Sequence, residues 1–82
     1  MKRKEIEKKV KEMISDVLDA YSSRKISLND SLGNDLGFDS LDCLTLEVQL
    51  ENVFGIKINR EGHKIIKKAT VKEVVDYIES KL

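Results

Sequence analysis

The run Asp35-Leu36-Gly37-Phe38-Asp39-Ser40-Leu41-Asp42 sets a hydroxyl among closely spaced carboxylates, just ahead of an apolar helical pattern. Asp39 suits an N-cap, with Asp42 at the third helical position, which puts Ser40 at the first. The Ser40 hydroxyl would then stand exposed at a loop–helix junction. Backbone N–H groups and the positive end of the helix dipole converge there, so a phosphate ester on Ser40 would be electrostatically favoured. Gly37 allows a sharp turn before the helix. A serine beside an aspartate cap is also an ordinary helix start, and alone it assigns no function.

Other chemistries fit the residues poorly. A calcium loop read from Asp30 fails: its third position is Leu32, its sixth is Asp35 where glycine is needed, and its twelfth is Leu41. The single His63 and the single Cys43 lie far apart in sequence, so no nucleophile–base–orienter set is apparent, and no metal-ligand set either. Cys43 is expected as a small core residue and His63 as a polar surface group. No enzyme and no metal site are expected.

The elements that would position Ser40 are helices. Ile6, Val10, Met13, Ile14, Val17, Leu18 and Tyr21 share one face of a first helix, with Ser22-Ser23 as its stop. Residues 22–39 read as a long irregular connection, and its scattered Ile26, Leu28, Leu32, Leu36 and Phe38 predict that it packs across the helices. The second helix runs from near Asp39 to Phe54 and stops at Gly55. A short helical turn is expected near Glu61–Lys67. The last helix starts with the capping box Thr70-Val71-Lys72-Glu73 and carries Val71, Val74, Val75, Ile78 and Leu82. The predicted fold is all-α: a small four-helix bundle, three long helices and one short, with a long loop between the first and second. One domain spans residues 1–82.

Two apolar stripes mark the second helix. Cys43, Leu46, Leu50 and Phe54 form one, which faces the core; Leu41, Leu44 and Val48 form the other. Periodicity alone leaves open whether the second stripe is buried between neighbours or is a docking strip, with Asp42, Glu47 and Glu51 around it.

The formal net charge is zero, with 15 basic and 15 acidic residues, but it is unevenly placed. Residues 1–25 carry eight basic and five acidic side chains, and residues 57–82 seven and four. Between Ile26 and Ile56 there is no Lys or Arg, only Asp30, Asp35, Asp39, Asp42, Glu47 and Glu51. The zero total weakens a nucleic-acid reading, and the acidic middle suits an acidic face that meets basic partners. No apolar run is long enough to span a membrane, and the glutamates interspersed with lysines in the first helix favour a solvated face over a membrane-surface one. The lone Cys43 cannot form an internal disulfide, and a cytoplasmic, monomeric protein is the expectation.

The run from Asp35 to Asp42 resembles the modification motif of acyl carrier proteins, D-x-G-x-D-S-L-[DE]. The similarity extends through Leu44, Leu46, Leu50, Glu51 and Phe54, and resumes at Ala69-Thr70-Val71 and Asp76-Tyr77-Ile78. The resemblance implies that Ser40 takes a 4′-phosphopantetheine arm from coenzyme A through a phosphopantetheinyl transferase. The arm's thiol would hold acyl groups as thioesters and present them to acyl-transferring, condensing or ligase enzymes of fatty-acid or related biosynthesis. It also implies partner contact by Leu41, Leu44 and Val48 and a role for Asp39 in engaging the transferase; Asp42, Glu47 and Glu51, read from the helix's own composition, complete the expected recognition face. Leu46, Leu50 and Phe54, with Ile65 and Ile66, would line the core near an acyl pocket. The chain departs from the family's usual acidity, has Glu47 where an apolar residue is more usual, and has a basic Asn59–Lys68 segment about two residues longer than the common pattern. A specialised or accessory carrier is therefore expected. An aminoacyl or peptidyl carrier, or an unmodified helical interaction module, remains open.

Overall fold

Apolar residues recurring every three or four positions form α1 (Arg3–Leu18), with Ile6, Val10, Met13 and Ile14 buried. The computed structural model describes residues 1–19 and 26–82. The expected helix stop at Ser22-Ser23 and the core role of Tyr21 lie outside the described residues. α2 (Ser40–Phe54), α3 (Arg60–Lys67) and α4 (Val71–Lys81) follow. α1 packs on α2 and α4, and α3 closes the ring by packing on the same two helices. The side chains of Ile6, Val10, Ile14, Leu46, Leu50, Ile66, Val74 and Ile78 fill the centre.

The helix ends are set locally. Thr70 Oγ1 accepts the Glu73 N–H (3.2 Å), and Glu73 Oε1 accepts the Thr70 N–H (2.9 Å), so the capping box starts α4 as its spacing predicts. Asn59 caps α3 from one side only, its Oδ1 accepting the Gly62 N–H at 2.8 Å. α2 ends at Gly55, whose N–H bonds to the Glu51 carbonyl. Leu82, expected on the α4 stripe, lies one position past the helix end and is exposed. At the bundle's edge, the Arg3 guanidinium meets Asp76 (2.7 Å) and Glu79 (2.9 Å) of α4 and Glu7 of its own helix (3.3 Å). These groups are solvated and screened, so the pairs add little to stability and serve mainly to hold the start of α1 beside the end of α4.

The described part of the connection between α1 and α2, residues 26–39, packs into the core. Leu32 is fully buried, Ile26 and Phe38 nearly so, and Leu28 and Leu36 pack against them. Buried backbone needs partners, and α4's leading segment supplies them. The Leu32 N–H donates to the Ala69 carbonyl (3.1 Å), and the Val71 and Lys72 N–H groups donate to the carbonyls of Asp30 and Leu28 (2.9 Å each). Ser31 and Thr70 form an isolated antiparallel bridge there. Two aspartates shape the turns between these points: Asp30 accepts the Ser27 N–H (3.0 Å) and Asp35 the Ser31 N–H (2.7 Å).

Because Leu32 is a core side chain, Leu32→Ala should cost about 2–5 kcal/mol, as cavity-forming substitutions do. Urea denaturation would measure it. A loss under about 0.5 kcal/mol, typical of a surface position, would contradict this packing.

Candidate functional site

The connection delivers Ser40 to the start of α2. The Phe38 N–H donates back to the Leu32 carbonyl (2.8 Å), and Gly37 makes the turn at a φ of 73°, a left-handed conformation that side chains resist. Asp39 is extended and caps the helix: its Oδ1 accepts the Asp42 N–H (2.8 Å), while Asp42 Oδ2 accepts the Asp39 N–H (3.1 Å). This reciprocal box fixes Ser40 as the first helical residue, with its side chain exposed. The first amides of a helix have no intrahelical acceptor, so the N–H groups beside Ser40 favour an anion on its hydroxyl.

α2 is apolar on two sides, and the structure separates their roles. Cys43, Leu46, Leu50 and Phe54 are buried against α1 and α3, as expected. Leu41, Leu44 and Val48 are 70%, 49% and 56% exposed, which resolves the ambiguity left by periodicity in favour of an open strip. Val53, also 49% exposed, lies on a different face of the helix, five residues past Val48, and does not belong to that strip. Asp39 is exposed beside the strip, and Asp42 and Glu51 are partly exposed. Glu51 has a structural task as well, since its Oε2 accepts the Ile58 N–H (2.8 Å) and holds the turn leading to α3.

Two expected site residues are placed differently. Glu47, expected on the recognition face, is only 7% exposed. It follows Cys43 by four residues and precedes Leu50 by three, which turns it inward. There its Oε2 lies 2.6 Å from Nδ1 of His63 on α3. His63, expected as a surface group, is thus half-buried and bridges two helices. Ile65, expected in the core, is 47% exposed. The short α3 turns Gly62 and Ile66, four residues apart, toward the bundle, and Ile65 falls outside that face. Leu46, Leu50, Phe54 and Ile66 form the inner wall as expected. Among the described residues, no helix is long and apolar enough to cross a membrane.

Comparison with known proteins matches this arrangement. A family model described as "Phosphopantetheine attachment site" covers residues 8–78. The chain is 39% identical to an acyl carrier protein of Coprothermobacter proteolyticus over 82 residues, covering all of this chain and 96% of that one. It is 42% identical to an acyl carrier protein of Amoebophilus asiaticus, covering 95% of this chain and 94% of the relative. It is 40% identical to one from Thermotoga maritima, covering 98% and 95%. With the match spanning all four helices and the connection that presents Ser40, the chain belongs to the acyl carrier protein family, whose members carry 4′-phosphopantetheine and are not enzymes.

Proposed function

We propose that Ser40 is the residue that bears the 4′-phosphopantetheine arm, and that the open face of α2 is where partner enzymes dock. The observation that carries this reading is the exposed Ser40 hydroxyl at the first position of α2, held there by the Asp39–Asp42 box. The transferase would need only to reach a fixed hydroxyl in front of oriented amides. Attack by that hydroxyl on the phosphorus of coenzyme A attached to the arm would release adenosine 3′,5′-bisphosphate and leave the phosphodiester at the helix start.

Docking combines two physical contributions. Leu41, Leu44 and Val48 offer apolar area, and Asp39, Asp42 and Glu51 attract basic patches on acyl-transferring, condensing or ligase enzymes. Glu47 is buried and drops out of this set. Weak, steered encounters suit a carrier that must leave each enzyme quickly. The exposed Arg60, Lys64 and Lys67 of α3, with Lys68 just past its end, add basic side chains on the helix that packs against α2. That mixed-sign surface supports a specialised or accessory carrier with its own partners, working in the cytoplasm.

The arm would introduce a second thiol beside Cys43, and the two differ in environment. Cys43 is buried; burial, followed by the charges of Glu47, Asp42 and Asp39, holds its pKa above the ordinary thiol value. Alkylation by iodoacetamide at mildly alkaline pH should therefore label the arm and spare Cys43 until denaturant is added. Native labelling of Cys43 at the rate of the unfolded chain would contradict its burial.

Co-expression with a broad-specificity phosphopantetheinyl transferase should add one arm by intact mass, and Ser40→Ala should abolish the gain. A gain that survives Ser40→Ala would overturn the assignment. For docking, Val48→Asp should leave stability within about 0.5 kcal/mol while weakening partner binding. Wild-type binding should also weaken as ionic strength rises from about 0.01 to about 1 M, where the screening length falls from about 30 to about 3 Å. Salt-independent affinity would show that the apolar strip acts alone.

A further inference from the structure

Polar groups meet inside the bundle where α2, α3 and α4 converge, and the attachment chemistry uses none of them. Tyr77 of α4 is half-buried, yet its Oη is sealed from solvent and has no hydrogen-bond partner among the described residues. Gly62 makes this placement possible. A Cβ at that position would overlap Tyr77 Oη and crowd Ile58 Cγ2, so the tyrosine tip occupies the space a side chain would need. One residue along, His63 holds Glu47 across the α2–α3 seam. Burial, followed by the charges of Glu47 and Glu51, keeps the Tyr77 phenol above its ordinary pKa, so the hydroxyl is a donor at neutral pH.

A buried donor without an acceptor is a standing cost, and native proteins keep few of them. The contact with His63 engages Oε2 of Glu47, which leaves Oε1 able to accept. Ser40 and Glu47 lie on the same helix about two turns apart, about 10 Å along its axis. An extended arm on Ser40 can bring its cargo that far along the seam. A saturated alkyl chain laid there would cover the Glu47–His63 pair and give its polar groups nothing in return. A hydroxyl on the chain could accept from Tyr77 and donate to Glu47.

We propose that Tyr77 Oη, seated against Gly62, and Glu47 Oε1 form an oxygen-recognising subsite that favours hydroxyacyl cargo over saturated cargo of equal length. The proposal rests on Ser40 bearing the arm. Its test is to load the wild-type chain with a saturated acyl arm and with the β-hydroxy counterpart of the same length, each verified by intact mass. A chain that takes no arm fails at that step, which separates failure of the attachment assignment from failure of the subsite. Thermal midpoints and the amide resonance of Gly62 are then compared. The β-hydroxyacyl form should melt higher and shift the Gly62 resonance more. Tyr77→Phe should erase that difference while leaving the unmodified chain at least as stable as wild type. Equal or greater stabilisation by the saturated arm would overturn the proposal. So would a preference that survives in Tyr77→Phe, or a loss of stability in the unmodified Tyr77→Phe chain, which would show that the hydroxyl already has a partner.

Discussion

The rest of the structure depends on the pinning of the α1–α2 connection to the head of α4. With no proline to stiffen it, a long irregular segment has to be held by hydrogen bonds and burial. Here Leu32 provides the apolar anchor, and the backbone of Leu28, Asp30 and Leu32 pairs with Ala69, Val71 and Lys72. The same residues end α3 and begin α4, so one junction sets three elements at once. Because the Phe38 N–H returns to the Leu32 carbonyl, the position of Asp39, and through it Ser40, is inherited from this junction. The attachment point proposed at Ser40 must be accessible and yet fixed in direction, and an anchored loop that ends in an exposed cap meets both needs.

The acidic middle of the chain serves structure and recognition together. Asp30 and Asp35 close turns, Asp39 and Asp42 cap α2, and Glu51 holds the approach to α3. Each of these carboxylates satisfies a backbone N–H and still contributes charge to the face around Ser40. Ionised acceptors make stronger hydrogen bonds than neutral ones, and those at a helix start also oppose the dipole favourably. Glu47 is the exception, since its charge is turned inward and met by His63. The acidic surface is therefore a by-product of how the loop and α2 are built, concentrated where partner enzymes would approach.

What could be read from the sequence was what depends on near neighbours. The Asp39–Asp42 and Thr70–Glu73 boxes, the stop at Gly55 and the exposed Ser40 follow from spacings of a few residues, and all four appear in the structure. The buried stripe from Cys43 to Phe54 was legible for the same reason. The pairing of Ser31 with Thr70 was not, because no local spacing records it. The Arg3 bridge to Glu79 likewise spans nearly the whole chain. Glu47 was misplaced for a different reason. Its position in the helical repeat pointed inward, but its charge suggested the surface, and only the arrival of His63 from α3 makes burial tolerable. Ile65 was misplaced because an eight-residue helix carries too few turns to define its inner face from sequence.

The central claim is that residues 26–39, leading into α2, are a fixed part of the core that presents Ser40. Native-state hydrogen exchange measures this most directly, residue by residue. The amides of Leu32, Phe38, Asp42 and Val71 should be protected to a degree comparable with the core of α4. Exchange of Leu32 and Phe38 at the rate of an open peptide, with α4 still protected, would contradict the account.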